Sequence, residues 1–111
     1  MRVRPGSPEE FGRVVEECRR RGLPLVISAR PCMECVVFEE LLAREGLLDR
    51  VVVVDVPAED WAVDYVLDVL GAPGAPSLVA PDGSVYGGSP LELLEKVREI
   101  LAGRRGGAAG I

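Results

Sequence analysis

The chain contains no histidine, asparagine, glutamine or threonine, and Lys96 is its only lysine. Without histidine it cannot build a Ser–His or Cys–His nucleophilic pair or a histidine metal site. The other basic residues are all arginine, and they form no continuous cationic stripe in a chain of net charge −5. A nucleic-acid partner is therefore not expected. The missing amides and the arginine bias fit either a thermophilic source or a GC-rich genome.

Long apolar runs are also missing. The longest, such as residues 51–54, are too short to cross a bilayer, and the first ten residues hold no apolar signal-peptide segment. We therefore expect a cytoplasmic protein that has no membrane partner. With 111 residues, 48% of them hydrophobic, the chain is long enough to fold as one domain around its own core.

Helix and strand patterns alternate along the chain. Ser7-Pro8-Glu9-Glu10 is a capping box that opens an amphipathic helix with Phe11, Val14, Val15 and Cys18 on its apolar side. Buried strands are predicted at residues 25–28 and 51–54, and each is followed by a helix. The helix that opens at Cys32 should bury Val37, Phe38, Leu41 and Leu42. The next should bury Val63, Val66, Leu67 and Leu70.

The last third of the chain reads as a hairpin and a helix. Residues 77–80 and 84–86 flank the turn Pro81-Asp82-Gly83, and a second capping box at residues 89–92 opens a helix that buries Leu94, Val97 and Leu101. The order α-β-α-β-α-β-β-α predicts an α/β fold with a four-stranded mixed sheet and helices on both faces. We expect one domain over residues 1–103 and a flexible tail over residues 104–111.

Cys32 and Cys35 form a C-x-x-C pair between a strand and a helix. This position is typical of a redox site, because free N–H groups and the dipole at a helix N-terminus stabilise a thiolate on Cys32, with Cys35 one turn further on. A zinc site needs about four ligands, and the chain offers no second pair. Two chains sharing zinc or an iron–sulfur cluster, and a scaffold with idle cysteines, remain alternatives. Cys18 is expected to fill the core.

The segments LVISARPCMEC and GAPSLVAPDGSVYGG resemble the thioredoxin-like superfamily, and the glutaredoxins most closely, over about residues 23–102. The resemblance implies a cis bond before Pro76, with the backbone of Ala75 open to a bound substrate. It also implies that Gly87 and Gly88 lie beside the active site, and that Arg30 helps to hold the Cys32 thiolate.

The same resemblance implies a thiol–disulfide oxidoreductase that acts on protein or small-molecule disulfides. Cys32 would attack the substrate disulfide and Cys35 would resolve the mixed disulfide. No metal or other cofactor is implied, only an electron-donor reductase or thiol, and we expect a monomer. Ser89-Pro90 stands where a glutathione-binding member usually carries an acid, and Met33-Glu34 separates the cysteines, so we expect poor use of glutathione.

Overall fold

Five strands form one sheet in the order β1-β3-β2-β4-β5. The computed structural model describes residues 1–109, with side chains as far as Gly103. The strands are β1 (Arg2–Val3), β2 (Leu25–Ser28), β3 (Val52–Asp55), β4 (Ser77–Val79) and β5 (Val85–Gly87). The helices are α1 (Pro8–Arg21), α2 (Met33–Arg44), α3 (Asp60–Asp64) and α4 (Pro90–Ala109). A short 3₁₀ turn, Leu48–Arg50, precedes β3.

The sheet is mixed, as predicted. β1 and β2 both run parallel to β3, whereas β4 runs antiparallel to β2 and β5 antiparallel to β4. The parallel β2-α2-β3 unit and the β4–β5 hairpin are therefore confirmed, with helices on both faces. The strand count is five rather than four, because Arg2 and Val3 add a short edge strand beside Val53 and Val54.

Each face of the sheet has its own apolar core, because alternate strand residues point to opposite sides. The core on the α2 and α4 side contains Val26, Phe38, Leu42, Val51, Val53, Leu78, Leu93, Leu94, Val97 and Leu101. The core on the α1 and α3 side contains Phe11, Cys18, Leu25, Ile27, Val52, Val54, Val66, Ala72 and Val79. The sheet is thus buried on both sides, which fixes the carboxyl end of β2 where α2 begins.

Three predicted core positions are wrong. Val37 on α2 is 40% exposed, and Val63 and Leu67 beyond it in the chain are 45% and 46% exposed. Beyond α3 the chain continues into a π-helical turn, Tyr65–Val69, in which the Leu70 N–H donates to the Tyr65 carbonyl at 3.0 Å. Ala62 and Val66, four residues apart, form the buried side of this segment, and Val63 and Leu67 lie one position further round and are exposed.

The last helix buries Leu94, Val97 and Leu101, as predicted. It continues to Ala109, further than the sequence pattern indicates. The sequence predicts a flexible tail over residues 104–111. The side chains of these residues, and the whole of residues 110 and 111, lie outside the described part of the chain. The flexible tail therefore stays a prediction. Within the described residues, every helix is too short or too polar to traverse a lipid bilayer.

Candidate active site

Cys32 is the N-cap of α2. The chain leaves β2 at Ser28, turns through residues 29–31, and begins the helix at Met33 with Cys32 still in an extended conformation, φ −162° and ψ 102°. The Cys32 sulfur accepts a hydrogen bond from the Cys35 backbone N–H at 3.1 Å. A side-chain acceptor at this position satisfies one of the free N–H groups of the first turn. Cys32 therefore lies where a helix best stabilises a negative sulfur.

Cys35 lies one turn deeper in the same helix. It is 1% exposed, whereas Cys32 is half-buried. The two cysteines are joined by a disulfide, with their Cα atoms 5.3 Å apart. Between them Met33 is 75% exposed and Glu34 is also exposed. The outer sulfur is accessible and the inner one is covered, which gives the two thiols different roles in any exchange reaction.

The loop before β4 approaches the cysteine pair from the other side. The Ala75 carbonyl oxygen lies 3.9 Å from the Cys32 sulfur. The Ala75–Pro76 bond is cis, as the resemblance implies, and the Arg30–Pro31 bond is cis as well, which the sequence did not indicate. Ala75 is exposed and Pro76 is buried. A backbone carbonyl is thus available to solvent directly beside the outer sulfur.

The local structure around positions 87 and 88 accounts for the glycine at each of them. A Cβ atom at Gly87 would lie 2.8 Å from Cγ of Pro73, in the loop that carries Ala75. Gly88 has φ +139°, and a Cβ atom there would lie 2.8 Å from a carboxylate oxygen of Glu92. The contact with the Pro73 ring explains the glycine at position 87, and the positive φ explains the glycine at position 88. A role for either glycine in substrate binding stays a prediction.

The hydrogen bonds of Arg30 go to groups outside the cysteine pair. Its guanidinium donates to the Ser28 hydroxyl at 3.1 Å, the Ala29 carbonyl at 2.7 Å and the Glu39 carboxylate at 3.2 Å. Within the described residues, none of its hydrogen bonds reaches the Cys32 sulfur. Arg30 therefore fixes the loop before Cys32, and its expected action on the Cys32 thiolate stays a prediction.

Glu39 is the functional-site neighbour that sequence reasoning missed. It is 8% exposed, and its carboxylate accepts hydrogen bonds from Ser28, Arg2 and Arg30. Arg2 also donates to Asp55 at 2.6 Å. Burial raises the pKa of Glu39, but the hydrogen bonds from Ser28, Arg2 and Arg30 outweigh it and lower that pKa below its usual range. Glu39 is therefore a fixed anion that ties β1, the end of β2 and α2 together.

Cys18 is set in apolar surroundings far along the sequence from this site. It is 4% exposed near the end of α1 and belongs to the core on the α1 and α3 side, as expected. Burial raises the pKa of its thiol to about 11. Cys18 is consequently a protonated core residue at neutral pH.

No group of three or more Cys, Asp or Glu side chains in the described residues is arranged to hold a metal ion. No protein-family model matches the chain, and no curated protein matches its sequence. Solved structures do match. The thioredoxin-like protein BC3987 has 24% identity and a TM-score of 0.51, over 67% of this chain and 97% of its own. A single-residue mutant of that protein matches equally well.

Thioredoxin O2 from Arabidopsis thaliana, solved in its oxidised state, matches over 88% of this chain and 92% of its own. Its identity is 18% and its TM-score 0.61. These neighbours are thioredoxin-like proteins, and the nearer resemblance to glutaredoxins stays a prediction. The match in the course of the chain, over 67% and 88% of its length in these two comparisons, nevertheless establishes the architecture: this protein has the thioredoxin-like fold.

Proposed function

We propose that the protein is a thiol–disulfide oxidoreductase that reduces protein or small-molecule disulfides through Cys32 and Cys35. The observation that carries the proposal is the asymmetric pair at the start of α2. The outer sulfur caps the helix and is accessible, and the inner sulfur is covered yet near enough to bond to it. Thiol–disulfide exchange needs one attacking thiolate and one resolving thiol in that relation.

The proposed reaction transfers two electrons to the substrate. The Cys32 thiolate attacks one sulfur of the substrate disulfide, forms a mixed disulfide and expels the other substrate sulfur as a thiolate, which takes up a proton. Cys35, once deprotonated, attacks the Cys32 sulfur and releases the second substrate thiolate. The Cys32–Cys35 disulfide that remains is reduced again by a separate thiol or reductase, so no bound cofactor is required.

Substrate would bind across the loop before β4. An apolar cleft of about 130 Å³ lies beside this loop and is lined by Ile27, Ala29, Val56, Val63, Val66, Leu67, Gly74 and Ala75. The exposure of Val63 and Leu67, which the sequence pattern placed in the core, supports a binding surface here. We propose that the Ala75 backbone pairs with the substrate chain while the cleft receives an apolar side chain next to its disulfide.

Glutathione is proposed to be a poor electron donor. The acid nearest to Gly88 is Glu92, and its carboxylate already accepts a hydrogen bond from the Ser89 N–H at 2.8 Å, where it caps α4. It is therefore occupied by the helix rather than free for a glutathione amine. Protein thiols or a dedicated reductase are the donors we propose, for a monomer in the cytoplasm.

Trapping of the mixed disulfide tests the proposal. The Cys35→Ser variant, incubated with a disulfide-bonded protein such as insulin, should accumulate a mixed disulfide through Cys32, and Cys32→Ser should accumulate little. Cys18→Ser is the matched control, which loses a sulfur elsewhere and should turn over insulin like the parent protein. Equal trapping by Cys32→Ser and Cys35→Ser, or no reduction of insulin by the unmodified protein, would rule the proposal out.

A further inference from the structure

A polar cleft of about 350 Å³ opens beside the loop that leads to Cys32. It lies where β1 and β3 end, and it is lined by Arg2, Arg4, Arg30, Asp55, Val56 and Ala58. The three arginines come from two separate parts of the chain, the N-terminal strand region and the loop after β2. The proposed redox reaction uses none of them, so their convergence on one cleft needs another explanation.

The cleft carries an excess of positive charge. Arg2 pairs with Asp55 and Glu39, and Arg30 pairs with Glu39, so three guanidinium groups face two carboxylates. Arg4 has no ion-pair partner among the described residues. This local excess of one positive charge occurs in a chain whose net charge is −5, and one of the three arginines, Arg30, is two positions before Cys32 in the sequence. A bound anion would balance the excess positive charge of the cleft.

The geometry of the arginines also leaves hydrogen-bond donors available. Each guanidinium carries five N–H groups in a planar fork that matches carboxylate and phosphate oxygens. Arg2 donates through one terminal nitrogen to Asp55 and through the other to Glu39. These partners hold Arg2 and Arg30 in place, and the side chains are still 44% and 48% exposed. Fixed and partly exposed guanidinium groups are suited to bind an anion.

We infer that this cleft is an anion subsite, which binds a carboxylate or phosphate group of the disulfide substrate while Cys32 attacks its sulfur. The inference rests on the proposed function for the chemical step. Arg30 and Cys32 are two positions apart, so their Cα atoms are at most about 7.6 Å apart, and a small disulfide that carries an acidic group can reach both. Arg4, which no carboxylate in the described part of the chain neutralises, makes the specific contact.

Small alkyl disulfides of different charge test the subsite. Oxidation of the prereduced protein is followed with dithiodipropionate, which is anionic, 2-hydroxyethyl disulfide, which is neutral, and cystamine, which is cationic. Each rate is divided by that of the same disulfide with free dithiothreitol. The protein should favour dithiodipropionate over cystamine, and Arg4→Gln should reduce this preference by about threefold to tenfold.

Arg50→Gln is the matched control, because Arg50 is exposed and precedes β3 at the opposite end of that strand from Asp55. It makes the same change in net charge and should leave the preference as it is. An Arg4→Gln variant with the preference of the unmodified protein, or an equal loss in Arg50→Gln, would overturn the inference.

Binding of simple anions separates this inference from the redox proposal. Inorganic phosphate and succinate are titrated separately into the oxidised protein while backbone amide NMR shifts are recorded. Saturable shifts in β1, Val56 and Ala58 that Arg4→Gln weakens support the subsite even if no disulfide is reduced, and the tighter anion identifies its chemistry. Shifts that do not saturate with either anion would overturn the subsite while leaving disulfide reduction untouched.

Discussion

Helices α1 and α2 each carry cysteine, but at opposite ends and in opposite surroundings. At the N-cap of α1 the Ser7 hydroxyl accepts from the Glu10 N–H at 3.2 Å, and at the N-cap of α2 the Cys32 sulfur accepts from the Cys35 N–H at 3.1 Å. Cys18 lies in the apolar core close to the end of α1. The position of a cysteine on its helix and its degree of burial therefore decide whether its sulfur can react, and residue type does not.

The largest effect is expected for Cys32→Ser, which should remove the redox chemistry of the sulfur but keep its role as a helix cap. Cys32→Ser should lower disulfide reduction by about a thousandfold or more, because the hydroxyl is a far weaker nucleophile than a thiolate. Serine is nevertheless a good N-cap, so the free energy of unfolding of the reduced protein should change by only about 0.5 kcal/mol. Cys18→Ser should do the reverse, retaining activity and losing about 1–3 kcal/mol, because it buries a hydroxyl among apolar residues.

Insulin reduction and urea unfolding in the presence of reductant measure the two quantities. A Cys32→Ser protein that loses stability as well as activity would indicate that the sulfur is needed for packing, and the comparison between the helices would fail.

Alkylation of the reduced protein should distinguish the sulfurs by at least about a hundredfold at pH 7. With its pKa raised to about 11 by burial, Cys18 has about one thiolate in ten thousand at that pH, and it is also covered. Cys32 is accessible at a helix N-terminus, which favours its thiolate. Limiting iodoacetamide followed by peptide mapping measures the ratio, and labelling that begins at Cys18 would contradict it.

Alkaline pH should weaken the packing at the end of α1. Because the pKa of Cys18 is higher in the folded protein than in the unfolded chain, folding favours the protonated thiol. Its contribution is complete below the unfolded pKa near 9 and is lost as pH rises through about 11, by about 2–3 kcal/mol. Unfolding by urea between pH 8 and 11 measures this slope. Cys18→Ala should be less stable at pH 8 but should have a flatter slope, and parallel slopes would contradict the assignment.

The smallest effect is expected in the charged cluster that supports α2. Glu39→Gln should lower the free energy of unfolding at pH 7 by about 1–2 kcal/mol, since Arg2 and Arg30 are partly exposed and can regain water. The lowered pKa of Glu39 means that its contribution is present above the unfolded pKa and lost as pH falls through the folded one. The stabilities of the two proteins should therefore converge as pH falls through the folded pKa of Glu39.

Glu40→Gln, an exposed neighbour on α2, is the control and should change stability by less than about 0.5 kcal/mol. Chemical denaturation from pH 2 to 7 makes the comparison. If the free energy of unfolding of Glu39→Gln were still lower than that of the parent protein at the lowest pH, the cluster would stabilise the fold through packing and not through charge.

The sequence was most informative where short-range signals exist. The capping box at Ser7, the turn at residues 81–83 and the C-x-x-C pair each depend on residues within a few positions, and the structure has α1, the hairpin and the start of α2 there. It was silent on Glu39, which lies 37 residues from Arg2 and 11 from Ser28. A glutamate on a helix is usually solvated, and only tertiary contacts reveal that this one is buried.

Two other features of the structure could not be predicted because the sequence carries no distinctive pattern for them. β1 has only two residues, too few for an alternating pattern, and its existence depends on pairing with β3. In the segment after β3, Val63 with Leu67 and Ala62 with Val66 are both apolar pairs at helical spacing, so the spacing alone does not tell which pair is buried. The cleft that contains Arg4 forms only where the N-terminal strand region meets the loop after β2, and the sequence pattern does not predict this contact.

The contact between Gly87 and Pro73 constrains the order in which this protein can change over evolutionary time. Any side chain at position 87 would collide with the proline ring at 2.8 Å, so a smaller residue at position 73 must come first. The reverse order passes through a strained intermediate that selection would remove. The end of β5 and the loop beside Cys32 are therefore coupled in one direction, although 14 positions apart in the sequence: as long as Pro73 is present, position 87 is restricted to glycine, whereas Gly87 leaves position 73 free to change.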